Sequence, residues 1–388
     1  MKNKHNLPKA VAAALFWFAA TVQVSGQAAT SGFRFSPINN GREYEVSQGT
    51  AAAASIVIPA THNGRPVTRI ADGGFSGYRA MTSVTIPDSV KDIGDYAFAD
   101  CTGLRGITVP SGLTTIGKGA FTRCSSLTSL TIPGSVKIIG EEAFFGCFSL
   151  TSLTIGSGVD VISRHAFAGC VGLTSVNIPD SVTAIGNWAF AGCVGLTSLT
   201  IGSGATGTGS YAFMGCTGLR SVTISNGVTN ISEGSFAGCR NLTSVTIPDS
   251  VTVIGDGAFI NCSGITNITI PAGVTAIGDY AFAGCSNLTG VNIPDSVTVI
   301  GTGAFAGCAG LRDVTVGNGI ASIGSHAFAG CASLTNVTVR ATTPPVLRWN
   351  IFESTHSSLQ IRVPAARVEA YKTASGWVVF ADRITAIR

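Results

Sequence analysis

Apolar and polar positions along this chain recur every 23 residues. One period, from Leu173, reads L-T-S-V-N-I-P-D-S-V-T-A-I-G-N-W-A-F-A-G-C-V-G, and the next begins at Leu196. Its first six residues alternate. Val176 and Ile178 point one way, Ser175 and Asn177 the other, which predicts a half-buried strand. Pro179 ends that strand because it has no N–H to give a ladder, and Asp180-Ser181 supplies turn chemistry. Val182 and Ile185 return to the core on the opposite wall. Gly186 permits a bend, Ala189 and Phe190 fill the interior, and Gly192-Cys193 closes the coil. A period of this kind predicts stacked, near-identical coils, each stabilised by burial against its neighbours.

Two columns run through the repeat. The eleven cysteines are Cys101, Cys124, Cys147, Cys170, Cys193, Cys216, Cys239, Cys262, Cys285, Cys308 and Cys331. No cysteine lies off this ladder. A phenylalanine column starts at Phe75 and continues through Phe98, Phe121, Phe144, Phe167, Phe190, Phe213, Phe236, Phe259, Phe282, Phe305 and Phe328. At about 4.8 Å per coil the stack should be roughly 55–60 Å long. The expected fold is an α/β-type repeat protein, mostly β. It is a right-handed solenoid of 23-residue coils with a parallel sheet on the concave face and capped ends.

One copy is degraded. Gly202 to Gly209 carries Ala205 and Thr208 where the other copies carry Val and Ile, so weaker packing is expected there. The ends also depart from the template. Asn63-Gly64 lies in an insertion, and Pro344-Pro345 breaks the pattern. The stretch from Val363 through Tyr371, Trp377 and Phe380 should fold over the last coil. The resulting division is a signal peptide over 1–26, an N-terminal cap over 27–58, a solenoid over 59–340 and a C-terminal capping repeat over 341–388.

Lys2, Lys4 and Lys9 precede the apolar run Ala10–Ala20, and small residues from Ser25 to Ala29 follow, the pattern of a secretory signal. The formal charge of +4 includes those three lysines, leaving about +1 without them (4 − 3). No basic stripe is present to follow a phosphate backbone, so nucleic acid is not an expected partner. No later apolar run is long enough for stable membrane insertion.

The motif I-P-x-S-V-x-x-I-G-x-x-A-F-x-G-C-x-x-L-T-S-V, nearly complete from Ile178 to Leu199, resembles the BspA-type leucine-rich repeats of bacterial surface proteins. The opening Ile58-Pro59 with Asn63 to Ile70, and the close Val363-Pro364 with Val368 to Lys372, are similar to that family's first and last coils. The resemblance implies a secreted, outer-surface or periplasmic protein that binds host matrix or plasma proteins, host cells or other bacteria. It carries over no catalytic residues. It implies an extracellular protein or glycan as partner, and a monomer is expected.

Other chemistry finds little support. Metal ligation would want close cysteine pairs, and none exists. Disulfides between coils meet an odd count and side chains that point in parallel, so the cysteines read as a buried, reduced structural column. Gly202-x-Gly204-x-x-Gly207 matches a dinucleotide fingerprint, but no βαβ unit follows, and it reads as glycine drift in a turn. His165 and His326 share a repeat position that also holds Tyr96, Glu142, Trp188 and Gly234, so an exposed position is expected. Glu141-Glu142 reads as a solvated turn. No enzyme activity, cofactor or metal is expected.

The outward face of the sheet is the candidate binding face. Its columns include Ser129 and Thr131, Ser152 and Thr154, Ser175 and Asn177, Ser198 and Thr200, Ser221 and Thr223, and Ser244 and Thr246. Threonine is a good solvated strand former, which explains much of the pattern. The face is also a long, neutral, hydrogen-bonding surface suited to an extended protein or glycan. An exported adhesin is the reading of function, with a structural or periplasmic scaffold as the alternative.

Overall fold

The structure, a computed structural model, describes residues 28–387. The signal peptide expected over 1–26 lies outside the described residues. Within them, the alternating segment of most coils forms a long strand, with the apolar residues at positions four and six turned towards the core; the coil of Ile268 and Ile270 buries both without forming one. These strands run from Ser55–Val57 through Ser175–Ile178 and Ser198–Ile201 to Asn336–Val339 and Gln360–Val363. They pair in parallel and in register, serine on serine and isoleucine on isoleucine, as at Ser175↔Ser198 and Ile178↔Ile201. A one-residue slip would turn every apolar side chain to solvent, so the 23-residue period enforces this register. The sheet is split into blocks, with breaks after Thr108, Ile155 and Thr246.

A second parallel ladder faces the first across the core. From Asp92 onward its strands are only two residues long, among them Asp92–Ile93, Thr115–Ile116, Val161–Ile162 and Ala184–Ile185. The isoleucine of each pair is buried, and the residue before it points outward. The repeat pattern marked Ile185 only as a core position. Two residues are too few for a period of two to show in the sequence.

Proline has a second task beyond ending the long strand. Its carbonyl accepts the N–H of the residue three further on, Val182 N to Pro179 O at 3.1 Å and Val297 N to Pro294 O at 3.2 Å. This turn carries the chain from one wall to the other.

The phenylalanines form one continuous stack from Phe75 to Phe328, with neighbouring centroids 5.1–5.5 Å apart and ring planes within 10°. Phe352 extends it at 5.8 Å. Both ends are closed by rings turned edge-on: Phe33 against Phe75 at 83°, and Phe380 against Phe352 at 82°. An edge-to-face contact presents the positive ring edge to the negative face and leaves no flat face to continue the stack.

The ends are tied down by separate means. At the N-terminus, Arg34–Ile38 and Glu43–Ser47 form an antiparallel pair, and Glu43–Ser47 joins the short-strand ladder in parallel with Arg65–Ile70. Arg69 there holds Asp92 at 2.8 Å, Glu45 at 2.9 Å and Asp72 at 2.5 Å. Partial burial disfavours its charge, but the hydrogen bonds to Asp92, Glu45 and Asp72 outweigh that cost and hold its pKa above the ordinary value. At the C-terminus the long-strand ladder runs beyond residue 340, through Gln360–Val363 to Ile384–Ala386. The short helix Val368–Thr373 brings in Tyr371, whose hydroxyl donates to Ala341 O at 2.8 Å. Trp377 Nε1 donates to Pro345 O at 2.8 Å, so each large buried ring of this cap has a partner for its polar atom.

Candidate functional site

The twelve side chains of the candidate face all project from long strands. Eleven are exposed, and Thr200 is half-buried. Parallel pairing brings them into two groups. Ser129 and Thr131 lie beside Ser152 and Thr154. Ser175, Asn177, Ser198, Thr200, Ser221, Thr223, Ser244 and Thr246 form four consecutive rungs. Towards the ends of the sheet, polar side chains of this face bond each other: Ser83 to Ser55 at 2.9 Å, and Asn336 to Asp313 at 2.9 Å. The twelve central ones make no hydrogen bond within the described residues, so their donors and acceptors face solvent.

The cysteine column is buried and unbridged throughout. Each thiol has a polar task that the sequence did not announce. It donates to the carbonyl of the phenylalanine 26 residues earlier, in the preceding coil, at 3.0–3.3 Å. That carbonyl also accepts an N–H in its own coil, as Phe98 O does from Cys101 N at 3.2 Å. Burial pushes the thiols of Cys101, Cys147, Cys285 and Cys331 up to about 12, so they carry no thiolate at neutral pH.

The position shared by His165 and His326 is a left-handed turn. Tyr96, Glu142, His165, Trp188, Tyr211, Tyr280 and His326 have φ of 53–57°, and Gly119, Gly234, Gly257 and Gly303 have φ of 54–58°. Glycine recurs there because it adopts this conformation without a Cβ penalty. Neighbours in the column constrain one another. The rings of Tyr96, Tyr211 and Tyr280 lie over Gly119, Gly234 and Gly303, where a Cβ would run into them. Where rings follow in successive coils they stack: His165 on Trp188 at 5.4 Å and Trp188 on Tyr211 at 5.2 Å, with Arg164 5.3 Å from the Trp188 centroid. Burial and then Arg164 hold the His165 pKa below its ordinary value. The position is thus half-buried at His165, Trp188 and Tyr211, where the sequence suggested plain exposure.

The remaining candidates stay apart. His326 pairs with Glu353 at 3.4 Å, far along the stack from His165. Glu141 pairs with Lys118 at 3.3 Å instead of with Glu142. Gly202 and Gly204 are not drift. A Cβ on either would collide with the backbone of Pro179 or Asp180 in the preceding coil, so close stacking requires glycine there. Among the described residues, no three His, Cys, Asp or Glu side chains converge to hold a metal ion. No helix among them is long and apolar enough to cross a membrane.

Two parallel ladders joined by tight turns, with in-register side-chain columns, define a leucine-rich repeat solenoid. Residues 50–173, 137–266 and 254–372 match the BspA type leucine rich repeat region, and the chain belongs to that family. A leucine-rich repeat protein from Bacteroides ovatus is 23% identical over 87% of this chain and 100% of its own, with a TM-score of 0.57. A leucine rich cell surface protein from Faecalibacterium prausnitzii is 30% identical over 80% of this chain and 94% of its own, with a TM-score of 0.45. The pneumococcal vaccine antigen PcpA is 19% identical over 92% and 96%, with a TM-score of 0.48. No curated protein matches the sequence. The family and fold are those of protein-binding repeat proteins and are typically non-enzymatic.

Proposed function

We infer that this chain is an exported, non-enzymatic adhesin that works as a monomer at the bacterial surface. It holds an extracellular protein through the Ser/Thr/Asn face of its long strands. The observation that carries this reading is the central block of that face. Side chains from two paired coils and from four paired coils stand in register, uncharged, largely exposed, and without hydrogen bonds to the rest of the chain. Such a surface offers an extended partner regularly spaced donors and acceptors that need no internal bond broken first. The family membership and the leader-like residues before Gln27 support display outside the cell.

The test has two arms. The protein from Gln27 onward is titrated against immobilised matrix and plasma proteins. Intact cells are treated with protease, and the chain is followed by immunoblot. Saturable binding together with loss of the chain from intact cells is expected. A chain that is protected on intact cells and binds no component of the panel would contradict the reading and favour an internal scaffold.

A further inference from the structure

The degraded coil leaves an opening in the short-strand ladder. In neighbouring coils the ladder is closed by a repeating pair of bonds. Thr183 N donates to Asp160 O at 2.8 Å and Gly186 N to Ile162 O at 2.7 Å. Further along, Thr229 N donates to Thr206 O at 3.0 Å and Gly255 N to Ile231 O at 2.8 Å. The corresponding bonds from Thr206 N to Thr183 O, and from Gly209 N to Ile185 O, are not made. The ladder stops at Ala184–Ile185 and resumes at Asn230–Ile231, with a single bridge at Gly207↔Asn230. Thr208 stands at the break. It replaces the core isoleucine, is fully buried, and turns its Oγ1 to accept Ser232 N at 2.8 Å.

A cleft of about 420 Å³ opens at this break, lined by Thr183, Asn187, Thr206, Ser210, Asn230 and Ser232 among others. Its volume lies in the range of ligand pockets, about 300–1,000 Å³. Every lining side chain is uncharged, so an ionic ligand would find no counter-charge. An apolar ligand would cover the hydroxyls, amides and unpaired backbone groups without bonding them, at a cost. The ligand that matches carries many neutral groups that both donate and accept. Ala184 and Ile185 add a short apolar strip to this polar lining. Sugar rings combine hydroxyls with apolar C–H faces, which matches a lining of hydroxyls and amides with a short apolar strip.

We propose that the cleft between Ile185 and Thr208 is a binding site for a neutral sugar residue of a glycan. It lies on the short-strand ladder, apart from the Ser/Thr face, so the two sites are separable by mutation.

The protein from Gln27 onward is applied to a printed array of neutral oligosaccharides built from glucose, galactose, mannose and N-acetylglucosamine. Any sugar bound is titrated by calorimetry. The variant Gly207→Ala/Thr208→Ile restores the residues found in intact copies and should close the ladder. It is expected to melt higher than the parent and to lose binding at least tenfold. Asn187→Ala/Ser210→Ala removes lining groups without rebuilding the coil and is expected to weaken binding whether or not the rebuilt variant folds. Thr131→Lys/Thr154→Lys, on the other sheet, should bind the sugar as the parent does. Absence of binding to every sugar on the array would overturn the proposal. So would equal binding by the parent and the Asn187→Ala/Ser210→Ala variant.

Discussion

At the scale of single residues, the fold rests on columns whose members serve the coil before or after their own. The cysteines show this best. Their buried position was readable from strict spacing and an odd count. The thiol-to-carbonyl bonds to the preceding coil were not, because a sequence period carries no direction for an S–H. Burial raises these thiols, so protonation persists as pH rises from neutral towards 12. A thiol-specific reagent at pH 8 is therefore expected to modify almost none of the eleven cysteines in the folded protein and all of them after denaturation without reductant. Fast modification of the folded protein would contradict the buried column. The left-handed column makes a second residue-scale prediction. Gly234→Ala places a Cβ against the Tyr211 ring and should cost about 1–2 kcal/mol, read from thermal unfolding. Adding Tyr211→Ala removes the collision, so the double variant should be less destabilised than the sum of the two singles.

At the scale of elements, the long strands were plain in the sequence, because Val176 and Ile178 alternate with Ser175 and Asn177 over enough residues to show a period of two. The short strands were hidden, since a pair such as Ala184–Ile185 is indistinguishable from any isolated core position. The degraded coil was legible as a defect through Ala205 and Thr208. Its consequence, an open cleft with unpaired backbone groups, depends on the backbone course from Thr206 to Gly209, where Gly209 has φ of 76°, and could not be read from composition. Hydrogen exchange checks the break directly. The amides of Thr206 and Gly209 should exchange faster than those of Thr183, Gly186, Thr229 and Gly255, which are bonded to the preceding rung. Equal protection across these coils would show that the ladder is closed in solution.

At the scale of the whole molecule, the protein is a one-dimensional stack with a different chemistry on each wall. The long-strand wall is polar, and uncharged over the strands from Ser129 to Thr246. The short-strand wall is more varied, with exposed Ile138, Val253 and Val299 among polar neighbours. Edge-on rings at Phe33 and Phe380 close the aromatic stack at both ends. Family membership explains this architecture, and the proposed binding wall rests on the side chains themselves.

The most direct test of that proposal is to compare the parent with a variant carrying Thr131→Lys, Thr154→Lys and Thr223→Lys, all exposed on the long-strand wall. Both are titrated against the matrix or plasma protein that the parent binds. The variant is expected to keep the parent's circular dichroism and melting behaviour and to lose saturable binding. Undiminished binding by the folded variant would contradict the proposal and move the protein-binding surface to another wall of the solenoid.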